Sequence, residues 1–241
     1  MKNVITKVSI FFSILLVIFG CSKKVEDNLA SPSLSFPPFS INLTLTKDSI
    51  VADGVTTAGF ILKIDSSLAQ KYSQVTFNIT PIGNFSGGAT TVLTTTIGIN
   101  GITKVYVSSL QIGVSNITAN VANLGSKSSS VRFFPSYPDE IVVQPSVAAI
   151  TASYTSSVNI TSTLIKNTGT VSMGLPIFYY DSTTTGGSIG VFINSTYSNN
   201  MGQSTATYSI QDTSYHGLLY LNCYVQNGPI KVRGRNKIVI Q

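Results

Sequence analysis

Few residues in this chain have the chemistry for catalysis, and their spacing scatters them. The only histidine is His216, in Tyr215-His216-Gly217 at a predicted turn, so imidazole-based proton transfer rests on that residue alone. No Gly-x-Ser-x-Gly elbow accompanies it. The nine carboxylates are Glu26, Asp27, Asp48, Asp53, Asp65, Asp139, Glu140, Asp181 and Asp212, mostly single residues beside turn formers. An aspartate in that setting accepts hydrogen bonds from its own backbone. Glycoside hydrolysis needs two carboxyl groups facing one cleft, and the spacing sets up no such pair. Asp139-Glu140 offers oxygens to a hard cation, but a calcium site takes six or more ligands, and one histidine with one spare cysteine cannot build a zinc centre. The expectation is a protein that is not an enzyme, with no catalytic residues, no metal and no cofactor.

The densest cluster of interacting side-chain types lies near the C-terminus. A two-residue Asn227-Gly228 turn would set Val225 opposite Ile230 and Cys223 opposite Val232 on one face of a hairpin. On the other face it would set Tyr224 opposite Lys231, Asn222 opposite Arg233 and Tyr220 opposite Arg235, with Lys237 continuing the row. The candidate ligand-binding residues are therefore Tyr220, Tyr224, Lys231, Arg233, Arg235 and Lys237. Cations on a terminal strand discourage unwanted edge pairing, and tyrosine rings cover their alkyl stems. The same cluster suits an anionic glycan, a lipid headgroup or an acidic surface protein. The pattern leaves both readings open. Nucleic acid is a poor fit despite a formal net charge of +6, because no binding motif appears.

Both ends of the chain must then be placed. Lys2 and Lys7 precede an apolar run from Val8 to Phe19, which ends at Gly20-Cys21. A positive start, about a dozen apolar residues and a small residue before the cut make a secretory signal. The run is too short to cross a bilayer, which takes roughly 20 apolar residues. Ile18-Phe19-Gly20-Cys21 resembles the lipobox of bacterial lipoproteins, with Phe19 where a small residue is usual. The resemblance implies a diacylglyceryl group on the Cys21 thiol and lasting attachment to a membrane through several acyl chains. With Ser22 at the next position, it implies the outer membrane and a chain facing outward from a bacterial envelope. Cys21 and Cys223 are the only cysteines, so a lipidated Cys21 leaves Cys223 without a partner and the exported part without a disulfide.

Residues 1–20 thus read as a signal peptide and 21–40 as a tether, whose Ser31-Pro32 and Pro37-Pro38 favour an extended form. Beyond Ser40 the apolar residues recur with period two. Ile41-Asn42-Leu43-Thr44-Leu45-Thr46 opens the pattern; Val75, Phe77 and Ile79 follow it, then Thr103, Val105 and Val107, then Ile117, Ala119 and Val121. That is the signature of half-buried strands, and no segment past Ser40 offers a helical face. In the last run Cys223 alternates in step with Leu219, Leu221 and Val225, which turns it inward as a small apolar residue. Turn signals separate the runs at Asp53-Gly54, Gly87-Gly88, Asn100-Gly101, Gly186-Gly187 and Asn227-Gly228. Many short strands with regular turns predict an all-β fold of sandwiches.

The pattern also repeats. Phe77 and Phe178 are 101 residues apart, as are Gly101 and Gly202, Val105 and Ala206, and Val107 and Tyr208. Gly113 to Ala119 corresponds loosely to Gly217 to Cys223. A period near 100 residues is the size of one sandwich. Two tandem domains are expected, at residues 41–135 and 138–241, joined by Pro135-Ser136-Tyr137-Pro138, a short and stiff connection.

Ala52-Asp53-Gly54-Val55-Thr56-Thr57-Ala58, Val75-Thr76-Phe77, Gly101 with Val105 and Val107, and Ile117-Thr118-Ala119 together resemble the bacterial immunoglobulin-like domain of the invasin and intimin type. The resemblance covers most of residues 41–134. The second copy keeps Val158, Ile160, Leu164, Phe178 and Gly202 but lacks the Ala-Asp-Gly start. It implies a structural or adhesive module on a cell surface, with no catalytic residues to carry over. A carbohydrate-binding accessory protein of a surface uptake or assembly system is the alternative expectation.

Overall fold

The structure, a computed structural model, describes residues 40–241 apart from 87, 89 and 194–196. The predicted signal, tether and Cys21 lie outside the described residues. Two β-sandwiches follow one another along the chain. In the first, strands β1 (Asn42–Leu45), β3 (Ala58–Lys63), β7 (Ile102–Ser108) and β5 (Asn84–Phe85) form one sheet in that order. The facing sheet runs β2 (Ser49–Val51), β9 (Gly125–Phe134), β8 (Gly113–Val121), β4 (Gln74–Thr80), β6 (Val92–Thr96). The second repeats the plan: β10 (Glu140–Pro145), β12 (Ser157–Ile165), β15 (Gln203–Ile210), β14 (Gly190–Ile193) face β11 (Ala149–Ile150), β17 (Ile230–Ile240), β16 (Gly217–Asn227), β13 (Phe178–Thr183). In both copies the short entry strand, β2 or β11, lies parallel to the last strand.

Period-two patterning does the sorting. Val75, Phe77, Ile79, Ile117, Ala119 and Val121 all turn inward and join Phe60 and Phe133 in one apolar cluster. Ile160, Tyr208, Leu219, Leu221, Cys223 and Val225 build a separate one. Each large apolar side chain so enclosed contributes about 1.5–3 kcal/mol, which is how the described part folds with its one cysteine free and buried. The single turn of helix α1 (Ser66–Ala69) departs from the purely extended expectation. Asp65 caps it by accepting from the Ser67 amide at 2.9 Å, so a local capping bond wins where no strand partner is offered.

Three expectations about pairing need correction. Glycine turns do not all mark hairpins: Asp53-Gly54 lies between β2 and β3, Asn100-Gly101 between β6 and β7, and Gly186-Gly187 between β13 and β14, and each of these strand pairs belongs to opposite sheets. A positive φ, such as 75° at Gly101, reports a tight turn and says nothing of which strands adjoin. The register of the last hairpin is the second, described with the site below, and the third is the correspondence of Phe77 with Phe178, which is out of step by one. Phe77 pairs with Ala119 and Tyr179 with Cys223, so Tyr179 is the true counterpart. Phe77 is 0% exposed and Phe178 is 45% exposed, because a shift of one residue reverses the face. The other three correspondences agree with the backbone: Gly101 and Gly202 both accept, from Ile64 and Leu164, and both have positive φ.

A hydrogen-bonded seam reinforces the connection between the sandwiches. The Ser136 amide donates to Ser172 Oγ at 2.7 Å and the Ser172 amide to the Ser136 carbonyl at 3.0 Å. Ser172 Oγ then donates to the Ala52 carbonyl at 2.7 Å, and the Thr170 amide to the Asp53 carbonyl at 3.0 Å. The Ala52-Asp53-Gly54 turn, which carries the family resemblance, is thus the surface on which the second sandwich rests.

Candidate functional site

The last hairpin forms with its register moved. Asn227 pairs with Ile230, so the two turn residues are Gly228 and Pro229 instead of Asn227 and Gly228. Gly228 takes φ 55°, and the proline ring fixes a negative φ after it, the combination of a type II′ turn. Every pair therefore shifts by two residues: Tyr224 faces Arg233, Asn222 faces Arg235, Tyr220 faces Lys237 and Cys223 faces Gly234. A shift of two keeps each side chain on its predicted face. The expected neighbours Tyr224–Lys231 and Tyr220–Arg235 still meet, now along the diagonal. Lys231 Nζ lies 4.5 Å from the centre of the Tyr224 ring and Arg235 Cζ 3.5 Å from that of Tyr220. Asn222 and Arg233, expected to be opposite, are not paired.

Strand β13 brings two aromatic residues that sequence reasoning left out. Its register with β16 sets Phe178 beside Tyr224, Tyr180 beside Asn222 and Ser182 beside Tyr220. Phe178 stacks on Tyr224 with ring centres 5.0 Å apart, and Tyr180 meets Tyr224 edge-on at 6.2 Å. Asn222 is buried beneath these rings, donating to Ser182 Oγ at 3.1 Å and the Tyr220 carbonyl at 3.2 Å. The outer face is thus three rows of three: Phe178–Tyr224–Arg233, Tyr180–Asn222–Arg235 and Ser182–Tyr220–Lys237. Lys231 stands beyond the first row. All four cations are exposed, and the one carboxylate in these three strands, Asp181, points inward.

The first sandwich has the same nine positions in the same register. There they are Thr76–Asn120–Ser126, Asn78–Thr118–Ser128 and Thr80–Asn116–Ser130. Not one is aromatic or charged. Arg233, Arg235 and Lys237 occupy the places of Ser126, Ser128 and Ser130 on the equivalent terminal strand. That strand carries only Lys127 and Arg132, with three serines in the places of the row, so the fold does not demand the continuous run of cations of the second copy.

Other singled-out residues have structural roles. Asp181 accepts from Ser188 Oγ, from the Ile189 amide at 2.8 Å, from the Gly190 amide at 3.0 Å and from Tyr208 Oη at 2.8 Å. It is a buried anchor for the turn after β13, not the turn residue expected. Burial, with the bond and charge of Asp181, pushes the Tyr208 phenol far up. Burial also raises the Cys223 thiol, against a weaker opposing bond with Ser162 Oγ at 3.5 Å. His216 is exposed just before β16. Asp139 accepts from the Asn167 amide at 2.8 Å, and among the described residues no three His, Cys, Asp or Glu side chains gather to hold a metal. Beside β13 a cleft of about 390 Å³ is lined by Phe178, Tyr179, Phe192 and Tyr197 among others.

No protein-family model matches the chain, and no curated protein matches it. Solved structures do. The adhesin InvE of Yersinia pseudotuberculosis superposes with a TM-score of 0.55 at 14% identity, covering 83% of this chain and 58% of that one. Invasin, described as a bacterial integrin-binding protein, superposes with a TM-score of 0.57 at 15% identity over 84% of this chain and 39% of its own length. This chain therefore spans little more than half of the first and well under half of the second. At such identities the likeness speaks for the fold: the described part of the chain is a tandem pair of immunoglobulin-like sandwiches of the kind found in invasin-type adhesins.

Proposed function

We propose that this chain is a non-catalytic adhesive module of a bacterial cell surface, and that the outer face of β13, β16 and β17 is its docking surface. The carrying observation is the contrast between the two copies. One sheet position holds hydroxyls and amides in the first and four aromatic rings with a row of cations in the second. Clustered Tyr and Arg residues are the side chains most enriched where partners bind. In this reading, acyl chains on Cys21 attach the protein to the outer membrane, residues 21–40 act as the tether, the sandwich at residues 41–135 gives reach, and that at 138–241 carries the surface that meets the partner. Support for the anchor is the Val8–Cys21 pattern; among the described residues no helix is long and apolar enough to cross a membrane.

Capture from intact cell surfaces tests the docking role, with the wild-type chain and Arg233→Ser/Arg235→Ser as parallel baits. Both arginines are exposed, and only the Arg235 contact with Tyr220 is lost, so the variant should melt within about 4 °C of wild type and remain folded. Partners retained by wild type and lost by the variant support the proposal; identical capture refutes it. The aromatic cleft beside β13 favours a second reading, a carbohydrate-binding accessory protein, which defined saccharide binding abolished by Tyr197→Ala would support.

A further inference from the structure

We infer that the ligand of this face is a linear acidic polysaccharide, bearing carboxylate or sulfate groups, laid along β17. The inference rests on the docking role proposed above and adds the chemistry of the occupant. Lys231, Arg233, Arg235 and Lys237 occupy alternate positions on one strand, so their side chains recur about every 6.7 Å and the row extends roughly 20 Å. A row of exposed cations with no carboxylate among them matches a polymer with repeated negative charge.

The rings narrow the choice further. Tyr224 has Phe178 stacked against it and Lys231 over it, and Tyr220 lies under Arg235. The Tyr220 and Tyr224 faces are thus already engaged by Arg235 and Lys231, and these two rings act as braces that hold those two cations in the row. Holding them in place lowers the entropy lost when an anion binds. Arginine also presents a planar fork that fits the paired oxygens of carboxylate or sulfate.

An acidic peptide is the competing occupant and fits less well. Exposed ion pairs contribute about 0.2–1 kcal/mol each, whereas ordering a peptide backbone costs about 1–2 kcal/mol per residue. The opposite face of the same strand is fixed to the facing sheet, which keeps the cation row straight: Asn236 Nδ2 donates to the Val143 carbonyl of β10 at 2.7 Å, and Gly234 packs against Ile141 so closely that an added Cβ would stand 2.6 Å from its carbonyl oxygen. A chain of pyranose rings is internally stiff and has less freedom to lose.

The test is equilibrium binding of the full-length chain, in uncharged detergent, to heparin and polygalacturonate, with neutral dextran and polyglutamate as comparison probes. Binding to at least one acidic polysaccharide, stronger than to polyglutamate and absent for dextran, is expected, and it should weaken as salt rises. Arg233→Ser/Arg235→Ser should weaken it about tenfold, the sum of two lost surface charge contacts. Lys63→Ser/Lys104→Ser removes the same charge from the first sandwich and should change it less than about twofold. Equal loss in both variants, tighter binding of polyglutamate, or no polysaccharide binding overturns the inference. If polysaccharides fail to bind while the arginine variant still loses its cell-surface partners, the docking role stands and only this assignment falls. If the variant matches wild type in both experiments, both fall.

Discussion

At Asp181 one carboxylate gathers two backbone amides, a serine hydroxyl and the Tyr208 phenol in the interior of the second sandwich. Buried carboxyl oxygens are accommodated there because donors replace the water they gave up. Nothing in the local sequence around Asp181 points to Tyr208, which is 27 residues away and reaches it across the core from β15 of the facing sheet. Tyr208→Phe keeps the ring and removes one bond to a charged acceptor, so it should lower stability by about 1.5–3 kcal/mol, read as a shift of the urea midpoint. An unchanged midpoint would mean that the remaining donors suffice. Cys223, by contrast, was legible: its step with Leu219, Leu221 and Val225 set its face, and it is wholly buried as that step requires.

Among the elements, the turns entering β7 and β15 are the clearest repeat. Gly101 and Gly202 have φ 75° and 70°, and each carbonyl accepts the amide that ends the β3 or β12 run. Their surroundings differ. A Cβ on Gly101 would strike the Ile64 carbonyl oxygen, whereas one on Gly202 would come to 3.1 Å of the Leu164 carbonyl. Both alanine variants bear the strain of a positive φ, but only the first also forces the backbone apart. Gly101→Ala should therefore cost about 2 kcal/mol or more and Gly202→Ala about 1 kcal/mol, measured by chemical denaturation. Equal losses would show that conformation alone, and not the clash, sets the cost.

In the whole molecule, the Ala52-Asp53-Gly54 turn ties the first sandwich to the second. Burial alone would raise the Asp53 carboxyl, but bonds from the Thr56 hydroxyl at 2.7 Å, the Thr56 amide and the Val55 amide at 3.0 Å outweigh it and hold the group below its ordinary value. A carboxyl lowered on folding adds stability above its unfolded value, about pH 4, and loses it as pH falls through the folded value. Asp53→Asn should then melt below wild type at neutral pH, with the two curves converging as the pH falls below about 4 and through the lowered folded value. A constant gap across that range would separate the turn's geometry from its charge. Because the turn also receives Thr170 and Ser172, loss of order there should be felt on both sides of the seam.

What the sequence determined by itself is parity. Alternation of apolar and polar residues decides which face of a strand is buried, and it needs no knowledge of the neighbour. Hence the all-β class, the inward Cys223 and the outward cations of the last strand were readable from local pattern. Tertiary structure decided adjacency. A slip of two residues leaves every face unchanged, so the pattern could not distinguish a turn at Asn227-Gly228 from one at Gly228-Pro229. Phe178 and Tyr180 joined the cationic face only through the pairing of β13 with β16, about 40 positions on in the chain, a choice made by the closure of the sandwich as a whole.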